Sequence, residues 1–295
     1  MSLVIVGNGM VSARLCELLA RSGVTVKQQV IVLGDEGIPA YDRVRLSELF
    51  ATSRGPESFL IRTASWYERS RIQLHTKERV QRIDREERCV ETESGRRILY
   101  SQLVLATGAA AARPPIQGIH APAIQVYRSA ADREAIERGI RPGARVAILG
   151  GELLGLELAE ALARRGCDVS LLEQAPRLLP RHLDARAATI VADRADMLGI
   201  RVRCGTRVVR VDASHGSARL HLDDAQTIDA ELVVVATGVR PRHAASARSA
   251  GCARSRRRRR LEPSRSAPAL VHLREGGAPL RRKAQSDPMK NPIPT

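Results

Sequence analysis

The chain has 295 residues, 2% of them aromatic, and a net charge of +16 at pH 7, of which residues 243–295 hold +10. That length accommodates two domains of ordinary size. Charge gathered at one end argues against a nucleic-acid-binding globular part, and no apolar run of about 18 residues offers a membrane span. The five cysteines are scattered and never spaced Cys-x-x-Cys, so neither a disulfide framework nor a local zinc or iron–sulfur site is indicated.

Leu3 to Val6 is an apolar run ending in Gly7-Asn8-Gly9, and residues 10 to 21 follow with apolar side chains at helical spacing. That predicts strand, tight turn, helix. Val30 to Leu33 predicts the next strand and runs into Gly34-Asp35-Glu36, closing a β-α-β unit. Short strands are expected over 72–76, 80–83 and 89–92, and a buried one from Leu103 into the turn Thr107-Gly108.

After Pro142-Gly143 the pattern restarts. Val146 to Leu149 predicts a strand, Gly150-Gly151 the turn, residues 153–164 a helix and 169–173 a strand that ends on Glu173. A helix over 184–198, several short strands over 201–222, and the run Leu232 to Gly238 complete a second unit that closes as the first does. The spacing of about 140 residues is too long for a solenoid, so it predicts two related domains. The fold expected is α/β, two nested Rossmann-like dinucleotide-binding domains over 1–118 and 119–242.

Gly7-Asn8-Gly9-Met10-Val11-Ser12 is the dinucleotide fingerprint with serine at its third glycine. Gly7 permits the turn, Gly9 lets a pyrophosphate approach the backbone, and the helix beginning at Met10 supplies amide donors and a partial positive charge. Asp35 and Glu36, at the end of the second strand, are placed to accept hydrogen bonds from an adenosine ribose. The second fingerprint, Gly150-Gly151-Glu152-Leu153-Leu154-Gly155, is intact at Gly150 and Gly155 but has Glu152 where the phosphate comes closest. Like charges about 5 Å apart at an effective dielectric near 20 repel by roughly 3 kcal/mol. Glu173 favours a free ribose 2′-hydroxyl, hence NADH over NADPH, while Arg177 keeps NADPH open.

Together with Pro39 to Glu48 and Ala175 to Arg181, these motifs make residues 2–242 resemble the N-terminal FAD- and NAD(P)H-binding part of the nitrite reductase large subunit, near rubredoxin and ferredoxin reductases. The resemblance implies a glutathione-reductase-like arrangement, with FAD in the first module and NAD(P)H in the second. It implies a ribose contact at Asp35 and Glu36, an FAD-phosphate contact at Arg43, an adenine contact at the backbone of Val80, and a strand-end turn at Thr107 and Gly108 along the FAD. It places Gly238 at the second module's corresponding turn and Glu157 near nicotinamide and flavin. The implied chemistry is hydride transfer from NADH to FAD, with electrons passed to an iron–sulfur or haem acceptor. A nucleotide-binding module without turnover is the rival reading.

Two departures from that pattern stand out. No cysteine lies between residues 35 and 60, so the chemistry of disulfide reductases and peroxidases is not expected and the electrons need an external acceptor. After Arg242 the family's acidic flavin-ribityl segment and interface domain do not follow; residues 243–295 instead read as a disordered tail rich in Ala, Arg and Pro, with nucleic-acid binding through Arg256–Arg260 ranked below that. The expected location is cytoplasmic, because a strand begins at once after Met1.

Overall fold

A computed structural model describes residues 1–52, 54–214, 216–242 and 270–271. Its frame is two five-stranded sheets. In the first, Gln102–Leu105, Ser2–Val6, Gln29–Leu33 and Ile72–His75 lie side by side and parallel. In the second the order is Arg201–Arg203, Asp168–Leu172, Arg145–Leu149, Leu232–Val235 and Ile124–Val126, again all parallel. Parallel strands covered on both faces need continuous apolar runs rather than alternation. Val4, Ile5, Val30, Val32, Ile148, Val169 and Val234 are accordingly buried.

The internal repeat holds at the level of single hydrogen bonds. Gly7 N–H donates to Leu33 O at 2.8 Å and Gly150 N–H to Leu172 O at 2.8 Å; Ala106 N–H donates to Val6 O and Ala236 N–H to Leu149 O, both at 2.8 Å. Gly7 and Gly150 adopt φ of +112° and +114°. A Cβ on Gly7 would stand 2.1 Å from Ala106 O, and one on Gly150 2.6 Å from Ala236 O. Both turns therefore require glycine for conformation and for the closeness of the neighbouring strand end.

The helices Met10–Arg21 and Leu153–Arg164 leave these turns, and neither has a side-chain N-cap. Each sheet carries a small antiparallel sheet beside it, Val80–Asp84 with Cys89–Thr92 and Arg97–Leu99, and Val208–Ser214 with Ser217–Leu222 and Thr227–Ala230. Val239–Pro241 then pairs antiparallel with Ala109–Ala111, bringing the end of the second half back to the first. Among the described residues no helix is long and apolar enough to cross a membrane.

Several elements were not expected from pattern. The stretch Arg43–Ala51 forms 3₁₀ turns, started by Asp42, whose carboxylate accepts from Val44 N–H at 3.0 Å. Ala130–Glu137 is an α-helix closed by a capping box, with Ser129 Oγ accepting from Asp132 N–H and Asp132 accepting from Ser129 N–H. The Arg256–Arg260 run and nearly all of the expected tail lie outside the described residues. Leu270–Val271 is described, and its backbone pairs antiparallel with Leu105 and Val104 at the edge of the first sheet.

Candidate functional site

At the carboxyl ends of the first sheet the structure gathers Gly7, Asp35, Val80 and Thr107 around one small cavity of about 70 Å³, with Leu33, Glu78, Arg79 and Arg242. Gly9 lies at the start of the helix Met10–Arg21, and a Cβ built on it meets nothing within 4 Å. The space in front of that helix start is open, and its first-turn amides have no side-chain partner. Such a cradle fits the diphosphate of a dinucleotide.

The acidic residues beside it are already engaged. Glu36 forms an ion pair with Arg43 and accepts from the Tyr41 hydroxyl at 2.8 Å. That hydroxyl also accepts from Arg43 Nη1 at 3.1 Å and from Ala130 N–H at 2.9 Å. Burial opposes the charge of Arg43, and the Glu36 carboxylate more than restores it, so its pKa rises above the usual guanidinium value. Asp35 is ion-paired with Arg242.

Arg128 completes this corner and was not singled out from sequence. Its Nε is buried without a hydrogen-bond partner. Burial and the neighbouring Arg43 push its pKa below the ordinary guanidinium value. A half-buried arginine beside a second arginine, with a free donor, suits an anionic group. No motif marks it, because it reaches the site by the fold of Ile124–Val126 rather than by spacing.

Tyr41 holds the corner together. Replacing Tyr41 by phenylalanine leaves the buried Ala130 N–H without its acceptor and removes a contact from both Glu36 and Arg43. An unsatisfied buried donor costs about 1–3 kcal/mol. Urea unfolding of Tyr41→Phe is expected to show a loss in that range; an unchanged midpoint would mean that water replaces the hydroxyl without cost.

The second turn faces a larger cleft of about 780 Å³, lined by Gly150, Glu152, Glu173, Arg181, Thr237 and Gly238 among others. Glu173 is fixed by backbone amides, accepting from Gly151 N–H at 2.6 Å and Ala175 N–H at 2.7 Å. A Cβ on Gly151 would stand 2.9 Å from Glu173 Cβ, and one on Gly155 would stand 1.9 Å from Gly150 O, so both glycines serve close packing. Gly238 has φ +99° with nothing within 4 Å of a built Cβ, leaving the opposite wall open. The donor set, the glycine turn and the cleft volume fit a nucleotide.

Glu152 does not point away from the cleft. Its carboxylate lies 3.2 Å from His182 Nδ1 and 3.6 Å from Arg181 Nε, so a guanidinium and an imidazole ring accompany it. Arg177, by contrast, donates to the backbone carbonyls of Leu183 at 3.4 Å and Pro180 at 3.5 Å.

The two corners meet through Glu157. From the second turn of the helix Leu153–Arg164 it accepts a hydrogen bond from Ser47 Oγ at 2.9 Å, across 110 residues of chain. Tyr127 is buried close by, and burial together with the Glu157 charge pushes its phenol up. Ser47 lies within the segment Pro39 to Glu48, and its place in the sequence does not mark this contact. Of the expected residues, Gly108 lies at the turn where its carbonyl accepts from Arg242 N–H at 3.1 Å, and Met10 is exposed at the open helix start.

Comparison with known proteins places the chain among relatives of the same fold. The family model described as pyridine nucleotide-disulphide oxidoreductase matches residues 1–262. The chain is 34% identical over 242 residues to the nitrite reductase (NADH) large subunit of Escherichia coli (strain K12), covering 81% of this chain and 28% of the relative. It is 29% identical over 243 residues to the rubredoxin-NAD(+) reductase of Pseudomonas putida, covering 82% and 63%. A ferredoxin reductase structure from Rhodopseudomonas palustris superposes with a TM-score of 0.75 at 27% identity, covering 83% of this chain and 61% of that one. The chain thus spans under a third of the nitrite reductases it matches and under two thirds of the reductases. The chain belongs to the pyridine nucleotide-disulphide oxidoreductase family, whose members are FAD-dependent NAD(P)H oxidoreductases.

Proposed function

We propose that the chain is an NADH-oxidising flavoprotein unit that delivers electrons to an iron–sulfur or haem acceptor. In this reading residues 1–118 supply the main FAD module, 119–242 the NADH module, and the two work as one site. The Ser47–Glu157 hydrogen bond carries the reading, because it ties the helix that begins at the second glycine turn to the segment Arg43–Ala51 of the first half. When bound, FAD supplies the chemistry, taking up a hydride equivalent and releasing electrons one at a time.

The chain's own residues bind and orient. Gly7 and Gly9 with the amides at Met10 hold the FAD diphosphate, helped by Arg43 and Arg128. Asp35 takes the adenosine ribose, Glu36 orients Arg43, the Val80 backbone meets the adenine, and Thr107 and Gly108 line the strand-end turn. Gly150, Gly151 and Gly155 form the NADH turn, Glu173 takes the ribose diol, and Gly238 opens the far wall. Glu157 sits one helix turn inside the shared boundary, held in place by Ser47. Glu173 would face a 2′-phosphate with its negative charge, and Arg177 is committed to backbone carbonyls, so NADH is preferred over NADPH.

Relatives support the acceptor class: one is named a rubredoxin reductase, another the ferredoxin reductase component of a biphenyl dioxygenase system. The test is NADH-driven reduction of a plant-type ferredoxin or of cytochrome c by protein supplied with FAD. Acceptor reduction in step with NADH consumption, with little activity from NADPH, is expected. Protein that binds both nucleotides yet reduces neither acceptor is a binding module without turnover.

A further inference from the structure

We infer that Arg242 is a selectivity residue of the first nucleotide site, contesting Asp35 with the ligand's ribose so that the site takes adenosine diphosphates and rejects bare nucleosides. The inference rests on reading that corner as a dinucleotide site. Arg242 reaches it from the far end of the second half. The ribbon Val239–Pro241 with Ala109–Ala111 brings the chain back, and Arg242 is then clamped by its backbone: its N–H donates to Gly108 O at 3.1 Å, and its carbonyl accepts from Thr107 Oγ1 at 3.0 Å. The side chain extends to Asp35, and both residues line the cavity that holds Gly7, Val80 and Thr107.

With both side chains along its wall the cavity is about 70 Å³, far below the roughly 300–1,000 Å³ of a ligand cleft. A ribose diol that is to bond across both carboxylate oxygens of Asp35 must displace the guanidinium from Oδ2. A nucleoside offers that guanidinium no replacement anion, so it bears the whole cost of breaking the pair. A nucleotide with a 5′-diphosphate brings its own negative charge into a corner that already holds Arg43 and Arg128. The loss of the Asp35 contact is then offset by the new anion. The side chains of Arg242 and Asp35 are 39% and 32% exposed, so the pair is of the modest, partly screened kind.

Adenosine and ADP are the probes, titrated calorimetrically into the full chain and into Arg242→Gln and Arg242→Lys. The glutamine variant keeps the backbone clamp, and an unchanged thermal midpoint confirms that it folds. Arg242→Gln is expected to bind adenosine about fivefold more tightly, to gain less or to lose affinity for ADP, and to show an adenosine response little changed by salt. Arg242→Lys, which keeps the charge, should stay near the parent. Adenosine affinity unchanged in Arg242→Gln while ADP still binds overturns the inference and leaves the nucleotide site standing. Adenosine and ADP weakened together would make Arg242 an ordinary ligand, which also overturns it. If neither probe binds parent or variant, the reading of this corner as a nucleotide site fails, and the inference with it.

Discussion

Replacing Gly9 by leucine is expected to abolish flavin retention while leaving the stability of the chain almost unchanged. A Cβ on Gly9 meets nothing within 4 Å, and its φ of −114° suits any residue, so the protein itself has room for the substitution. Surface changes of that kind usually alter stability by within about 0.5 kcal/mol. What the leucine occupies is the open space over the amides at Met10, where a diphosphate must approach the backbone. The control is Gly7→Ala, whose Cβ would stand 2.1 Å from Ala106 O at a φ of +112° and must disturb the sheet end itself. Flavin content measured after gel filtration, beside thermal unfolding of both variants, separates the two roles. Full flavin content in folded Gly9→Leu would remove the first turn from the FAD site.

The second large effect is expected at Glu152, where substitution by glycine should tighten NADH binding by one to two decades at low ionic strength. The carboxylate lines the cleft beside the second turn. At about 5 Å from a phosphate and an effective dielectric near 20, its repulsion is roughly 3 kcal/mol, or two decades. The nearby Arg181 reduces that figure in the parent, but removing Glu152 also frees its guanidinium to meet the diphosphate. Glycine is an acceptable N-cap, so the helix Leu153–Arg164 loses little. Raising salt should shrink the gain, because screening weakens charge but not shape. Equal NADH affinity of parent and variant at low and high salt would show that Glu152 does not obstruct the site.

Much of the frame was legible because glycine turns and parallel strands leave local marks. A turn at positive φ beside a neighbouring strand end admits only glycine, so Gly7 and Gly150 announce themselves, and buried parallel strands appear as unbroken apolar runs such as Leu3 to Val6 and Leu232 to Val235. The partners of the polar residues were not legible. Asp35 and Glu36 read as free ribose acceptors, yet one meets Arg242, 207 residues on, and the other meets Arg43 and Tyr41. Arg128 and Ser47 gain their places from tertiary contacts without a fixed spacing, as does the 3₁₀ stretch Arg43–Ala51, whose apolar residues Leu46, Leu49 and Phe50 pack into the core without helical or strand periodicity. Nothing local marks Leu270–Val271 as a sheet edge either, since its pairing depends on where Gln102–Leu105 lies.

Anaerobic titration of the FAD-supplied protein with NADH shows whether one chain holds FAD and NADH close enough for the second to reduce the first. A yellow protein with one flavin per chain is expected, its visible flavin bands bleaching on adding one equivalent of NADH and much more slowly with NADPH. A protein that carries flavin yet keeps its absorbance in excess NADH, while remaining reducible by dithionite, would contradict that arrangement.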